Sequence, residues 1–522
     1  MDKIFLQEGL LYTKPDLLKC CGYNNDSEAD QKAFSRMLSE LKRKRLIKSR
    51  RKKGSRESSA DDASLISEDD SEFYEFIGTE KEGIQYLFRF VGIFFFDDRV
   101  IYVYPKYIKS SDSLDEKMKQ IINVIRKHQG KVYQLDVPQI LEEVDKGEEI
   151  TELSIILFLL SDYSENGLYY ESEKITELNG EGEIHWGKTV EKINPYIKNN
   201  RPVYYDVITS RRKDNNFNFF VRLHKCILTE SSKQVEKTGI VDLFSLPQID
   251  LSDEELDSFG DNDYLMDSLE IEMGQQYDDR KLAVLHAMFL YIKQKASQER
   301  AFIKSNEPGL SFFGTRSFHR VWEDVVDCVY VSHKQMTFGK IQERYDNNLD
   351  FLIPLHNGST AVLQRTDVLE KCIEKPEWYR KDESSMTHQM YLPSSTFIPD
   401  YLRFSENNDT FYILDAKYYM PEWHVNGHWI ERQPGVEDVA KQYLYYFAFK
   451  ELLDKNKIGI NHVENYFIMP TEENDKDAGF VRIAFFERLF PGIFNIRIKL
   501  LNAYNLFDLY LHDKELNVSS IP

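Results

Sequence analysis

Phe397-Ile-Pro-Asp-Tyr-Leu-Arg-Phe-Ser-Glu-Asn-Asn-Asp-Thr-Phe-Tyr-Ile-Leu-Asp-Ala-Lys-Tyr-Tyr419 sets two aspartates, Asp400 and Asp415, fifteen residues apart, with Lys417 two places beyond the second. Thr396 to Phe404 and Thr410 to Tyr418 are rich in β-branched and aromatic residues, while Ser405, Glu406, Asn407, Asn408 and Asp409 between them form a polar turn cluster. The stretch therefore predicts a β-hairpin. Pairing Phe404 with Thr410 puts Asp400 level with Leu414 and Asp415, to within about one residue of turn register. The two carboxylates then meet at one end of a sheet. Alternation along the strand sends Asp415 and Lys417 to one side and the small side chain of Ala416 to the other, leaving the Ala416 carbonyl as a further oxygen donor.

Oxygen donors of this kind suit a hard ion such as Mg2+, with Mn2+ as the alternative, held by one or two carboxylates plus a substrate phosphate. The ion would activate a water and neutralise charge on phosphorus oxygens, and Lys417 would hold or polarise that nucleophile. An ordinary hairpin with a surface Asp-x-Lys pair shows the same short pattern, so the flanking residues have to decide.

Upstream, Phe318, Val321, Trp322, Val325, Val326 and Val329 recur at helical spacing within Ser317 to Tyr330, which predicts a helix packed by one face. Glu323, beside Trp322, is the candidate third acidic ligand, its alternative being a solvated helix glutamate. Downstream, Gly435 to Leu453 predicts a second helix, with Gln442 and Tyr446 four apart on one face. They can hydrogen-bond a phosphate or a base edge, or pack in the aromatic run of Tyr443, Tyr445, Tyr446, Phe447 and Phe449. Val463 to Pro470 reads as a strand, giving the order helix, hairpin, helix, strand.

That order, together with Val321-Trp322-Glu323, Ile398-Pro399-Asp400, Ile413 to Tyr419 and Lys441-Gln442-Tyr443, resembles the PD-(D/E)xK nuclease fold, and more narrowly the LlaJI-type restriction endonucleases, relatives of McrC. Further matches are Phe90-Val91-Gly92, Tyr104-Pro105-Lys106-Tyr107, Glu183 to Thr189 and Pro202 to Asp206, so the resemblance spans roughly residues 85 to 470. It implies a restriction (anti-phage defence) subunit that cuts double-stranded DNA with Mg2+, leaves a 5′-phosphate, and works beside a separate McrB-like AAA+ GTPase. In that reading Glu323, Asp400, Asp415 and the Ala416 carbonyl hold metal, Lys417 assists the attacking water, and Gln442 and Tyr446 position the strand. The rival from another class is a non-cleaving, DNA-binding activator of the GTPase ring.

The chain of 522 residues has room for two to four domains. Its net charge of -20 repels a polyanion on average, so local clusters or a partner must bring DNA to it. Cysteines at 20, 21, 226, 328 and 372, with no CxxC, speak against a disulfide framework and a structural zinc site, and fit a reducing cytoplasm. Apolar runs at 88–96 and 153–160 are far shorter than the roughly 20 residues of a membrane helix, and Met1-Asp-Lys-Ile does not open a signal peptide.

A mixed α/β, multidomain chain is expected. Residues 1–110 predict a winged-helix-like module, with Ser27 and Asp30 capping an amphipathic helix through Phe34, Met37, Leu38 and Leu41. That helix runs into Lys42, Arg43, Lys44, Arg45, Lys48, Arg50, Arg51, Lys52 and Lys53, a run dense enough for phosphate contacts, its alternative being a solvated loop. An acidic, Ser-rich linker follows at 55–72, then a hairpin of Ile84 to Val91 and Val100 to Tyr104 about Asp97-Asp98. Residues 111–275 read as an α+β middle domain and, by the resemblance, hold the candidates for the GTPase contact. Residues 276–522, opened by a helix from Asp279, form the nuclease domain.

Two decoys need weighing. Gly182-Glu-Ile-His-Trp-Gly-Lys-Thr189 fits GxxxxGK[ST] letter for letter, but bulky Ile184, His185 and Trp186 fill what would be a phosphate loop, so a P-loop NTPase is the weaker alternative. His424 and His428 are four apart without a helix or an HExxH glutamate, and read as surface histidines.

Overall fold

The computed structural model describes residues 3–51, 84–96, 99–132, 151–170, 172–214, 217–238, 248–302, 310–345, 352–354, 360–362, 364–369, 378–381, 388–391, 398–405, 410–455, 463–490 and 495–522. The 55–72 linker, Lys52, Lys53, Cys372 and the turn residues Asp97, Asp98 and Glu406 to Asp409 lie outside them. Contacts divide the chain into two units, residues 1–128, 147–149 and 309–522 in one and 129–146 and 150–308 in the other. The expected bounds, 110/111 and 275/276, differ from these, and the helix Asp279–Phe302, expected to open the nuclease domain, falls in the second unit.

In the first unit, Phe411–Ala416 is fully apolar except for Asp415 and lies inside a five-stranded mixed sheet. Tyr401–Phe404 pairs with it antiparallel, Val463–Thr471 parallel, and Ile496–Asn502 and Lys476–Val481 complete the other side. Burial on both faces explains the continuous apolar run. Phe411 and Ile413 point to the helix Val436–Lys455, where they join Tyr445, Tyr446 and Phe449 in one cluster. Even-numbered residues take the other face, where the Tyr418 ring meets Phe318 of the helix Phe318–Tyr330 at 5.2 Å. Both helices lie within two residues of the bounds their periodicity predicts.

The N-terminal segment departs from the expected hairpin. Ile84–Phe88 is the middle strand of a three-stranded antiparallel sheet with Leu11–Thr13 and Ile47–Arg51, whereas Val91–Phe96 and Arg99–Tyr104 form the hairpin. That hairpin belongs to a separate four-stranded sheet, closed by Lys3–Gln7 on one side and Ser311–Thr315 on the other. The short break at Arg89-Phe90 separates what the apolar run presents as one strand. Gly92 faces Gly314 across this sheet, and a Cβ on Gly92 would stand 2.2 Å from the Phe313 carbonyl oxygen, so the Phe90-Val91-Gly92 motif is a close backbone approach.

Lys14–Cys20 and Glu28–Arg43 are helical, and the Ser27 hydroxyl caps the latter by accepting from Asp30 N at 3.3 Å. The basic run is neither a helix tail nor a loop throughout. Lys42 and Arg43 end the helix, Lys44 and Arg45 turn the chain with Arg45 at φ +59°, and Lys48, Arg50 and Arg51 sit on the edge strand Ile47–Arg51. Buried Leu46 and Ile47, whose apolar signal the surrounding cations mask, anchor that strand.

The second unit has helices Glu152–Asn166, Phe219–Thr238, Asn262–Met273 and Asp279–Phe302 among its described elements. Arg280 bonds both Asp162 oxygens, at 3.1 and 2.9 Å. His224 is fully buried, accepts from Tyr169 N at 3.0 Å, and is held neutral by that burial, its pKa pushed down to about 3. Ser172–Leu178, Ile208–Asp214 and Glu183–Ile184 make a small antiparallel sheet. The GxxxxGK[ST] residues belong to it: Ile184 pairs with Thr209, Trp186–Lys192 is helical, and the Thr189 hydroxyl accepts from Ile208 N at 2.9 Å. They build no converging amide cradle.

Candidate active site

The hairpin register brings the two aspartates together. Tyr401 lies opposite Leu414 and Phe404 opposite Phe411, which continues to Asp400 opposite Asp415 at the sheet end. This is one residue from the Phe404/Thr410 pairing and inside the stated register range. Asp415 is buried, and its carboxyl is pushed well above the usual range, first by burial and then by the Asp400 charge and by a hydrogen bond that its protonated form donates to Asp400. One oxygen of Asp400, Oδ2, is shut from solvent with no hydrogen-bond partner.

Lys417 is 8 % exposed and stands between two acids, 3.4 Å from Asp415 Oδ2 and 3.5 Å from Asp438 Oδ1. The amide of Lys417 donates to Ile468 O at 2.9 Å, and because the peptide is trans, the Ala416 carbonyl points the opposite way, towards the Asp400 side. The same Ile468 oxygen accepts the Trp322 indole N–H at 3.1 Å. Trp322 thus fixes the helix Phe318–Tyr330 to the strand Val463–Thr471 at the carbonyl that also takes the Lys417 amide. Glu323, next along, is half-buried. Its carboxylate does not fall within 4.8 Å of both aspartates, since the one group of three acidic or metal-ligating side chains that tight among the described residues is elsewhere.

Gln442 is fully buried, and its Nε2 is committed to Asn465 Oδ1 at 2.6 Å, with the Ile413 and Tyr466 carbonyls at 3.4 Å. Asn465 in turn donates to the Gln442 carbonyl at 3.2 Å, so the pair braces helix against sheet. Tyr446 is buried in the aromatic cluster with Phe404 and Phe411.

Three residues that the sequence pattern does not single out join the site. Asp438, in the first turn of Val436–Lys455 and one turn ahead of Gln442, takes Gly435 N at 3.2 Å and the Tyr419 hydroxyl at 3.4 Å. Its spacing to Gln442 was a usable signal, hidden because acids at helix N-termini are common. Lys334 donates to the Asp400 carbonyl at 2.9 Å, and Asn465 is the partner of Gln442; neither carries a local signal. Behind the site, the Tyr418 hydroxyl donates to Glu8 at 2.6 Å and accepts from Lys106 N at 3.2 Å, with the Lys106 ammonium 4.3 Å from its ring. Tyr104-Pro105-Lys106-Tyr107 is thereby tied to the residue after Lys417.

The basic segment exposes Lys42, Arg43, Lys44 and Arg45, although Arg43 pairs with Glu40 and Lys42 lies 5.2 Å from the Tyr86 ring.

The family model for the LlaJI restriction endonuclease matches residues 90–370 and 359–499. A relative from Bacillus subtilis (strain 168), the type II restriction enzyme BsuMI component YdjA, is 26% identical over 442 residues, covering 83% of each chain. Among solved structures, a half-complex of Thermococcus gammatolerans McrB AAA+ hexamers with bound McrC aligns at 12% identity and TM-score 0.34, covering 98% of this chain and 99% of the other. The McrBC complex of the same organism aligns at 12% identity and TM-score 0.20, over 56% and 80%. At such scores neither superposition bears on the architecture. No helix among the described residues is long and apolar enough to cross a membrane.

Proposed function

The chain belongs to the LlaJI restriction endonuclease family, and on that premise we propose that it is the cutting subunit of a restriction system, a Mg2+-dependent PD-(D/E)xK endodeoxyribonuclease centred on Asp400, Asp415 and Lys417. The observation that carries this reading is buried Asp415 set beside half-buried Asp400, with one orphaned oxygen on Asp400 and a raised carboxyl on Asp415. A carboxyl buried as deeply as that of Asp415 costs free energy to ionise, and a cation beside it offsets that cost. Asp400, Asp415 and the Ala416 carbonyl fit a hard ion, Mg2+ or alternatively Mn2+, because every donor is oxygen. Glu323, beside the anchored Trp322, is the proposed further acidic group. When bound, the ion supplies Lewis acidity and a nucleophilic water at neutral pH.

The chain's own residues do the rest. Lys417, held from both sides by Asp415 and Asp438, directs its ammonium to where negative charge grows on the scissile phosphate. Gln442 and Tyr446 act through the sheet and the aromatic cluster, keeping the strand that bears Asp415 in place for DNA. The order of two helices, an edge strand and a returning strand at 14–88 supports a winged-helix-like module, whose exposed cations Lys42 to Arg45 contact DNA phosphates. An McrB-like AAA+ GTPase is the proposed partner. Within 111–275, exposed Trp186, Tyr196, Ile197 and Tyr205 are the candidates for its contact.

Plasmid cleavage with Mg2+, the matched GTPase and GTP tests the reading, with GTPase stimulation measured in parallel. Asp400→Asn should lose cleavage and keep stimulation. Undiminished cleavage by Asp400→Asn removes the site, and wild-type stimulation without any cutting favours the non-cleaving activator.

A further inference from the structure

We propose a second metal site, for a transition metal of the Zn2+ class, on the hairpin between Lys417 and the helix Val436–Lys455, with Glu422, His424 and Glu431 as its ligands. Strands Glu422–His424 and Trp429–Glu431 pair antiparallel, with Glu422 opposite Glu431 and His424 opposite Trp429. Alternation places Glu422 and His424 on one face, and the cross-strand partner Glu431 joins them there. One donor atom from each of the three lies within 4.8 Å of the other two, the only such group among the described residues.

Two further observations point to a ligand. His424 lies flat on the Trp429 ring, with centroids 3.7 Å apart and planes within 4°, so its ring orientation is set by packing. Its Nε2 is shut from solvent, makes no hydrogen bond, and stands 3.4 Å from Glu431 Oε2. Meanwhile Glu422 and Glu431 are like charges directly opposed on a two-stranded ribbon, an arrangement whose repulsion a cation beside both would relieve. Arg432 takes one Glu422 oxygen at 2.7 Å and leaves the other for a metal. Trp429 and Arg432 are thus the outer supports that orient two of the ligands.

The donor set names the class. An imidazole nitrogen with two carboxylates suits Zn2+ and leaves a position for water, whereas Mg2+ takes oxygen donors and shuns the imidazole. His428, four residues from His424, sits in the turn at φ +53° and is not one of the three. The bound metal would clasp the hairpin and shorten the effective tether between Lys417 and Asp438.

The test uses the full chain carrying Asp400→Ala and Asp415→Ala, stripped with EDTA, so that the proposed nuclease centre contributes no metal. Zn2+ is titrated by calorimetry and Co2+ by visible absorption, with His424→Ala and, separately, Glu431→Gln added to the same background. The proposal expects one Zn2+ equivalent and its Co2+ band to disappear in both additions. Mg2+ in large excess should not displace the Zn2+, and melting in EDTA should match the parent for Glu431→Gln, which keeps size and shape. Unchanged Zn2+ stoichiometry and affinity in both variants overturns the site, and ready displacement by Mg2+ overturns its class.

Discussion

Asp400 and Asp415 on one side, and Lys42 to Arg45 on the other, are two charged clusters with proposed roles on DNA, and they are built by opposite means. The aspartates are set into a sheet end where burial raises the cost of every charge, so a small number of groups act at short range. The cations stand in solvent at a helix end and a turn, where each contributes little and the sum is screened by salt. A site for bond cleavage needs fixed geometry; a site for holding a polyanion needs only density of charge. With a net charge of -20 over the whole chain, the exposed cluster counters an unfavourable average field.

The contrast can be broken in order of expected effect. Asp438→Ala removes one of the two acids that hold Lys417, and cleavage should fall by roughly 10- to 100-fold, as for groups that orient a centre without reacting in it. DNA binding measured without metal should stay at the wild-type level; a matching loss of binding would place Asp438 in the DNA contact instead. Charge reversal of Lys44 and Arg45 should weaken DNA binding several-fold and lower the slope of log K against log salt by about 0.9 for each DNA phosphate that is no longer neutralised. An unchanged slope returns the segment to solvent.

The smallest effect is on stability. Because the folded-state pKa of Asp415 is raised above its unfolded value, the folded protein binds the extra proton, and metal-free stability falls as pH rises through that raised value. Calorimetric melting in EDTA should therefore show a falling Tm with rising pH, recovered by Mg2+ at the alkaline end. Asp415→Asn should flatten the profile, and a profile identical to wild type would remove the raised carboxyl from the account.

How much could be read in advance follows from the range of each interaction. The hairpin, the helices at 318–330 and 436–455 and the cap at Ser27 declare themselves within about 20 residues, and each carries its own periodicity or turn chemistry. The four-stranded sheet does not, because Lys3–Gln7 pairs with Arg99–Tyr104 and Ser311–Thr315 with Val91–Phe96, partners roughly 100 to 200 residues apart. Gln442 was visible as a polar residue on an apolar face, but its commitment to Asn465 depends on a parallel strand from further along the chain. Asp438 was masked by its resemblance to an ordinary helix-start acid. The strand at 47–51 was masked by its own cations, since only Ile47 and the preceding Leu46 carry an apolar signal there.

The central claim is that Lys417, gripped between Asp415 and Asp438, serves catalysis at a Mg2+-dependent centre. Plasmid cleavage by wild type and Lys417→Ala, side by side with Mg2+, the matched GTPase and GTP, tests it most directly. Lys417→Ala should lose about 100-fold or more in cleavage rate, with GTPase stimulation unchanged; equal cutting by the two proteins would remove Lys417 from the catalytic centre.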